Sequence, residues 1–300
     1  MTTQPLSVPR LTDAISPGCY FLRLSFSSGW EQKLLLISDI HYDAIGCRRD
    51  ILKKHLDQAK ACNAPVFIFG DLLDLMQGKQ DPRASKHAIR PAYLHEDYLG
   101  AVTDDAANFL APYAENIVML AQGNHEYEYQ RRHEISPLTI VAMKLEANGG
   151  HRPVVAPYTG WVMLKYEYVP GKEGYTGRRH SHYLKYHHGV GANAPVTRGA
   201  IQSNRSAVRW PNADIVVMGH IHHRFSMSMP KETITNRGRI VTDEEGLHLQ
   251  LGCYVQDTDG DSWSQRRGFG TSALGGYWLR LYADSMNVPR PVRFQPITTD

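Results

Sequence analysis

Short clusters of aspartate, histidine and asparagine occur at five places in this sequence. The clusters are Asp39-Ile40-His41, Gly70-Asp71, Gly123-Asn124-His125-Glu126, His187-His188-Gly189 and Gly219-His220-Ile221-His222. In Asp-x-His and His-x-His the two outer side chains point to the same side of an extended chain and can bind one ion. Carboxylate, imidazole and amide ligands together suit borderline divalent metals such as manganese, iron, zinc or nickel. The residue types therefore predict a metal site.

The elements that must position these clusters are buried strands. Continuous apolar runs come directly before four clusters, at Lys33–Ile37, Pro65–Phe69, Asn116–Leu120 and Asp214–Met218. Such runs are typical of strands that are buried on both faces. In α/β proteins, ligands bind in the crevice at the carboxyl ends of the strands. We therefore expect the clusters to meet at one edge of a layered α/β domain.

Helices are expected between the strands of the first half. Apolar residues recur at helical spacing from about Arg49 to Cys62, and Asn63 is a suitable stop. Ser136-Pro137 is typical of a helix start, and Asn148-Gly149-Gly150 of a helix end. The second half is rich in aromatic and β-branched residues and is expected to be mostly strand.

Composition excludes several classes of protein. The 300 residues are 42% hydrophobic and 21% charged, which is ordinary for a folded domain and unlike a disordered or disulfide-dense chain. The formal charge is only +3, so bulk charge does not indicate a nucleic-acid-binding protein. The 15 histidines are an unusual number and favour metal binding or proton transfer.

Cysteine usage and targeting signals point to the cytoplasm. Cys19, Cys47, Cys62 and Cys253 are scattered, form no CxxC pair and are expected to be free thiols. The first residues show no basic region followed by an apolar core. No stretch approaches the roughly 18 apolar residues that a membrane span requires. We expect a cytoplasmic protein with no membrane partner, and the oligomeric state is not indicated.

The order D-x-H, GD-x-x-D, GNHE, H and GH-x-H, from about Leu34 to His223, resembles the calcineurin-like metallophosphoesterase superfamily. The tail, with Gly252–Val255 and Gly275–Trp278, more loosely resembles phage- and prophage-encoded members. The resemblance implies a four-layer α/β sandwich with two mixed β-sheets flanked by helices, as a single domain over residues 1–300. It also implies phosphoester hydrolysis with two divalent metal ions, for which manganese is our first expectation.

The resemblance implies a role for each motif residue. One metal would be held by Asp39, His41 and His222, and the other by Asn124, His220 and His187, with Asp71 as the bridge. We expect His187, as the first residue past its strand, with His188 as the alternative, because a one-residue slip reverses side-chain direction. His125 would contact the scissile phosphate or protonate the leaving group. Asp74 is expected to orient other groups, and Asp43 to be solvated.

The substrate is less well indicated. Protein phosphatases of the superfamily typically carry Arg-Gly after GD-x-x-D, where this chain has Leu75-Met76. We expect an insertion at about Lys79–Asp97 that holds Arg83, Lys86 and Arg90, which could contact substrate phosphates or lie on a solvated helix. Arg205 and Arg209 are weaker candidates for the same role.

We expect a phosphodiesterase or nuclease that acts on DNA, RNA or nucleotides, with Asp71, Asn124 and His125 in the catalytic machinery. A phosphomonoesterase, acting on a protein or a small molecule, is the first alternative. A non-catalytic metal-bearing scaffold is the second. That scaffold would be marked by missing ligands, and none is missing from the motifs.

Overall fold

The computed structural model describes residues 7–76, 89–94, 96–169, 179–191, 197, 199–234, 238–243, 246–256, 273–284, 288 and 290–300. In these ranges the α-helices are α1 (Arg49–Ala61), α2 (Tyr98–Leu110), α3 (Asn124–His133), α4 (Pro137–Ala147) and α5 (Ala200–Arg209). Strands before α5 are β1 (Leu11–Asp13), β2 (Cys19–Phe26), β3 (Glu31–Ile37), β4 (Val66–Phe69), β5 (Ile117–Ala121), β6 (Val154–Ala156), β7 (Thr159–Tyr168) and β8 (Arg179–His187). Strands after α5 are β9 (Ile215–Met218), β10 (Phe225–Ser228), β11 (Lys231–Ile234), β12 (Ile240–Asp243), β13 (Leu247–Gln250), β14 (Tyr277–Ala283) and β15 (Val292–Thr298).

Two large mixed sheets form the centre of the fold. One has six strands in the order β15-β14-β3-β4-β5-β6, and its strands β3 to β6 run parallel. The other has seven strands in the order β1-β2-β7-β8-β9-β13-β10, in which β8, β9 and β13 run parallel. A separate antiparallel pair is formed by β11 and β12.

Apolar side chains pack in three layers around these sheets. Between the sheets, Leu34 and Leu36 of β3 pack with residues such as Leu184 and Tyr186 of β8. On the other face of the six-stranded sheet, Leu35 and its neighbours pack against α1, α2 and α4. A smaller cluster, which includes Trp210 just after α5, covers the outer face of the seven-stranded sheet. The expected α/β sandwich with two mixed sheets flanked by helices is therefore confirmed.

Local sequence explains where the expected helices begin and end. Helix α1 buries Leu52, Leu56 and Ala59 along one face and ends just before Asn63, which has a left-handed φ of 51°. Helix α4 begins after Ser136, whose hydroxyl accepts a hydrogen bond from the amide of Thr139 at 3.3 Å. The sequence pattern did not predict α2, α3 or α5. The insertion expected at 79–97 falls largely on residues outside the described ranges.

All four cysteines are free thiols, and Cys47 and Cys253 are buried. Within the described ranges, the helices are all too short or too polar to span a bilayer.

Candidate metal centre

Parallel strand pairing brings three of the polar clusters together. Ile37 of β3 lies beside Ile68 of β4, and Phe69 of β4 lies beside Ala121 of β5. The three strands therefore end at one edge of the six-stranded sheet. Beyond the strands, the amide of Asp39 donates to the carbonyl of Gly70 at 3.0 Å.

The seven-stranded sheet adds its two clusters at the same edge. Strand β8 ends beside β9, where His187 pairs with Met218. Just past the strands, the amide of Gly219 donates to the carbonyl of His188 at 2.8 Å. The amide of His220 then donates to the carboxylate of Asp39 at 2.9 Å. This hydrogen bond joins the two sheets at the place where the clusters meet.

Two glycines permit this close approach. A Cβ on Gly70, which has a φ of 98°, would collide with the ring of His188. A Cβ on Gly123 would collide with the carboxylate of Asp71. Glycine is needed at both positions because backbone and ligand side chain lie in contact.

The first group of candidate ligands is Asp39, His41 and His222. Nε2 of His222 lies 3.3 Å from a carboxylate oxygen of Asp39 and 3.2 Å from Nε2 of His41. On the far side of its ring, Nδ1 of His41 lies 2.8 Å from the carboxylate of Asp74. The carboxylate accepts a hydrogen bond from Nδ1–H, so Nε2 of His41 presents its lone pair to the group.

The second group is Asp71, Asn124, His188 and His220. The amide oxygen of Asn124 lies 2.8 Å from Nδ1 of His220 and 3.1 Å from Nε2 of His188. The outward nitrogens of both rings face backbone carbonyls. Nδ1 of His188 lies 2.9 Å from the carbonyl of Phe69, and Nε2 of His220 lies 3.0 Å from the carbonyl of Gly191.

In the second group, each histidine ring lies between a backbone carbonyl and the side-chain oxygen of Asn124. Carbonyls can only accept, so the outward ring nitrogens of His188 and His220 carry their protons. In the neutral rings the inward nitrogens then point lone pairs at the oxygen of Asn124, so a positive charge is needed there: a metal cation or, without one, a proton on His188. This set of carboxylate, amide and imidazole donors fits divalent cations of the manganese-to-zinc series.

Asp71 lies between the two groups. One of its carboxylate oxygens is 3.1 Å from Nε2 of His188 and 3.9 Å from Nε2 of His41. The other oxygen accepts the backbone amide of His125 at 3.0 Å. The side chain is thus fixed with one oxygen directed at ligands of both groups, as a bridging carboxylate requires.

His125 lies at the rim of the cluster. Its Nδ1 faces the carbonyl of Asp74, and its Nε2 lies 3.9 Å from the inner oxygen of Asp71. Its ring meets that of His41 edge to face, with 4.7 Å between centroids. Since Nδ1 is committed to a carbonyl, Nε2 is the nitrogen that faces the centre.

The structure reverses our preference between the two neighbouring histidines. His188, not His187, reaches Asp71 and Asn124. Leu184 and Tyr186 of β8 point into the core between the sheets, and His188 continues that alternation. His187 instead points to the outer face, where its ring lies 5.9 Å from that of Trp210.

Burial and charge act in opposite directions on the buried groups. Burial alone would raise the pKa of Asp39, but the imidazoles of His188 and His222 outweigh it and lower that pKa to about 2. Burial alone would lower the pKa of His188, but Asp71 and Asp39 outweigh it and raise that pKa to about 9. The two buried carboxylates therefore attract positive charge to this point, which is the electrostatic requirement of a cation site.

Glu126 holds three backbone amides in place, a role that the sequence pattern did not indicate. Its buried carboxylate accepts three backbone amides, those of Gly123 at 3.0 Å, Asp71 at 3.1 Å and Leu73 at 3.0 Å. Burial and the nearby Asp71 raise the pKa of Glu126 to about 7. The signal was its place as the third residue of a helix that begins in GNHE, where a glutamate side chain can accept the amide of the N-cap residue.

Asp43 is buried, contrary to the expectation that it is solvated. Its carboxylate accepts the backbone amides of Asp74 at 2.6 Å and Leu75 at 3.0 Å, and also the hydroxyl of Tyr98. Burial and the neighbouring Asp74 raise the pKa of Asp43. Asp43 thus holds the loop that carries Asp74, which in turn orients His41.

Replacing Asp43 should destabilise the protein. Asp43→Ala would leave two backbone amides and one hydroxyl without an acceptor, and each such group costs about 1–3 kcal/mol. We expect the free energy of unfolding, measured by urea denaturation, to fall by about 3 kcal/mol or more. Asp104→Ala, which removes an exposed carboxylate paired with Lys144, should cost less than about 1 kcal/mol. Equal losses in the two variants would contradict this role.

Five candidate ligands lie in the left-handed region of backbone space. Their φ values are 52° for Asp39, 47° for His41, 50° for Asp71, 74° for His220 and 53° for His222. Residues with a Cβ are uncommon at such angles, which are typical of functional sites where surrounding structure enforces them.

The basic residues proposed for substrate contact are only partly described. Arg83 and Lys86 fall outside the described ranges. The guanidinium of Arg90 donates to the carbonyl of Cys47 at 2.7 Å. Arg90 is therefore used at least partly to hold the loop after Asp43, which sequence alone did not indicate.

Comparison with known proteins gives one family match. A family model described as calcineurin-like phosphoesterase matches residues 32–224. The comparison with curated protein sequences gives no match.

Several solved structures are similar to this chain at low identity. A predicted phosphoesterase from Streptococcus pneumoniae TIGR4 is 12% identical, covering 89% of this chain and 99% of its own, with a TM-score of 0.31. Zinc-complexed Vps29 from Entamoeba histolytica is 11% identical, covering 90% and 100%, with a TM-score of 0.34. GAP50 from Plasmodium is 9% identical, covering 90% and 85%, with a TM-score of 0.38.

Proposed function

Because this chain belongs to the calcineurin-like phosphoesterase family, we propose that it hydrolyses phosphoester bonds with the help of two divalent metal ions. The observation that carries the proposal is the convergence of acceptor atoms at the centre. Nitrogens of His188 and His220 face the oxygen of Asn124 at 3.1 and 2.8 Å, while their outward nitrogens face carbonyls. A cation between such atoms removes their repulsion.

The two ligand groups divide the residues between two ions. We assign Asp39, His41 and His222 to one ion, Asn124, His188 and His220 to the other, and Asp71 to both. Manganese remains our first choice, with iron, zinc and nickel also compatible with these donors. When bound, such ions would supply a nucleophile at neutral pH and neutralise the negative charge that develops on the phosphoryl oxygens.

Residues of the chain perform the remaining steps. Asp74 holds His41 in the tautomer whose Nε2 lone pair faces the centre. His125, with Nδ1 committed to the carbonyl of Asp74, has Nε2 facing the substrate side and is assigned to protonate the leaving-group oxygen. Asn124 supplies a neutral oxygen ligand at the start of α3.

A phosphodiester of nucleic acid or a nucleotide is our first choice of substrate. Where protein phosphatases carry arginine after GD-x-x-D, this chain has Leu75, which is buried with 4% of its surface exposed. No guanidinium can clamp a phosphate from that position. A phosphomonoesterase is the alternative. A non-catalytic scaffold is disfavoured, because every residue of the motif set is present.

A substrate panel tests the proposal. The chelated protein, reloaded with manganese, would be assayed on bis-p-nitrophenyl phosphate, p-nitrophenyl phosphate, and single- and double-stranded DNA. Faster turnover of the diester than of the monoester supports a phosphodiesterase, and the reverse ratio supports the alternative. Absence of turnover on every member of the panel with each of the four metals would reject hydrolysis.

The cellular setting and the phage resemblance also remain proposals. Four free cysteines favour a reducing compartment, and we propose the cytoplasm. The matched family model ends at residue 224, before the tail that resembles phage-encoded members.

We predict that Arg83 and Lys86 contact a long substrate. Replacing both with alanine should raise KM for a DNA or RNA substrate and flatten its salt dependence, because each phosphate contact releases counterions. KM for bis-p-nitrophenyl phosphate should stay unchanged, since that molecule is too short to reach them. The matched control replaces Lys60 and Arg152, two exposed cations, with alanine. Equal changes for both substrates would reject the contact.

A further inference from the structure

A cleft of about 380 Å³ lies beside the candidate metal centre, on the outer face of the seven-stranded sheet. Its walls include His187 at the end of β8, Met218 at the end of β9, and Gln202, Arg205, Arg209 and Trp210 on or just after α5. Among the described residues that line it, none is acidic. The cleft therefore combines positive charge with an aromatic surface.

We propose that this cleft binds the nucleotide unit next to the scissile phosphate, with the base against Trp210 and a neighbouring phosphate on Arg205 and Arg209. The inference rests on the proposed phosphodiester hydrolysis and names the class of substrate for it. The ligand is a nucleotide-containing phosphodiester that carries at least one further phosphate.

Two arginines form the anion-binding side of the cleft. Arg205 and Arg209 are four residues apart on α5, so their side chains lie on one face of the helix. Both are exposed, and neither forms an ion pair with any carboxylate in the part of the chain that the structure describes. Two such guanidiniums suit the bidentate binding of a phosphate.

Trp210 forms the aromatic side. It is half-buried, and its ring is held by its neighbours. The ring of His187 lies 5.9 Å away with an interplanar angle of 35°, and Nζ of Lys185 lies 4.9 Å from the ring centroid. A fixed indole that lines a cleft is a suitable platform for stacking a base.

A single backbone segment separates the cleft from the metal centre. Along residues 187–191, His187 points outward to the cleft and His188 points inward to Asp71. The carbonyl of Gly191 accepts from Nε2 of His220 at 3.0 Å. A Cβ on Gly191 would lie 3.6 Å from Nε2 of Gln202, a cleft residue. A diester with its phosphate at the centre could therefore extend its next unit over this segment.

Three chromogenic probes with one leaving group separate the contributions. They are methyl p-nitrophenyl phosphate, thymidine 5′-(p-nitrophenyl phosphate), and the same nucleotide carrying a 3′-phosphate. The first has no base, the second adds a base, and the third adds a further phosphate. In the manganese-loaded protein we expect KM to fall along this series.

Each cleft variant should change KM only for the probes that carry the group which the replaced residue contacts. Arg205→Ala with Arg209→Ala should raise KM for the 3′-phosphorylated probe by about tenfold or more, the usual effect of losing charge-assisted hydrogen bonds. Trp210→Leu should raise KM for both nucleotide probes by about fivefold to a hundredfold, the range for one stacked base, and Trp210→Phe by less. KM for the methyl probe should not change. Arg179→Ala, at the far end of β8, is the control for removing an exposed arginine.

Other outcomes would overturn the inference. If only the arginine variants raise KM, the cleft binds an anion and not a base. If all three probes are affected equally, the cleft is not a substrate site. If no probe is hydrolysed, the proposed hydrolysis fails. Calorimetric titration of the chelated protein with thymidine 3′,5′-bisphosphate then tests binding to the cleft by itself. Binding that the arginine variants weaken would support the cleft site, and no binding would reject it.

Discussion

Asp71→Asn is expected to abolish most phosphodiesterase activity and to strip more than one metal ion from each chain. Asparagine keeps the shape of the side chain and can still accept the amide of His125, but it removes the charge that lies between the two ligand groups. Loss of several kcal/mol of transition-state stabilisation corresponds to a fall of about 10³-fold or more in kcat/KM. Turnover of bis-p-nitrophenyl phosphate and elemental analysis of the purified protein measure the two effects.

Asp39→Asn is the informative comparison, because we assign Asp39 to one ion and Asp71 to both. We expect it to lose less activity than Asp71→Asn and to retain one ion. Asp57→Asn, an exposed position on α1, should behave like the wild type. Chelator should abolish wild-type hydrolysis, and manganese should restore it. Undiminished turnover in protein shown to be metal-free would refute the metal-dependent reading.

His125→Ala is expected to reduce turnover by about 10²–10⁴-fold, the usual range for a positioned general acid. The metal content should stay at the wild-type level, because Nε2 of His125 lies outside both ligand groups as we assign them. The loss should be smaller for p-nitrophenyl esters than for DNA, since p-nitrophenolate leaves without a proton. Single-turnover rates on both substrates, with elemental analysis, give the measurement.

A histidine elsewhere on the same helix provides the control. His133 lies at the exposed end of α3, with its ring 4.3 Å from that of Tyr129, and His133→Ala should leave turnover unchanged. If His125→Ala instead removes one ion per chain, His125 is a ligand. Its close group with His41 and Asp74 would then be the site of that ion.

The sequence was sufficient to predict those elements that a single local pattern determines. Strands β3, β4, β5 and β9 were readable because each is a continuous apolar run that ends in polar residues. The start of α4 was readable because Ser136 and Pro137 are favoured at adjacent positions of a helix start. The convergence of the clusters also followed, because parallel strands end at a common edge.

Other features depend on contacts that sequence does not show. Nothing in the sequence around Asp43 distinguishes it from an exposed loop aspartate. Its burial depends on the amides of Asp74 and Leu75, which donate to its carboxylate. The choice of His188 was available in principle from the alternation through Leu184 and Tyr186. His187 was expected because of its place at the end of the strand. The side chains that reach the centre are instead those on the inner face of β8. Helix α5 was missed because polar and charged residues dominate it, and its cleft became visible only with the structure.

The left-handed backbone at the five candidate ligand positions has an evolutionary consequence. For a residue with a Cβ, such angles cost roughly 1–2 kcal/mol, and glycine would relieve the cost. A lineage that no longer needed these side chains would gain stability by drifting to glycine at any of them. In this chain Asp39, His41, Asp71, His220 and His222 all keep both the angle and the side chain. Replacing any of these five residues with glycine would therefore relieve backbone strain and remove a candidate ligand at the same time.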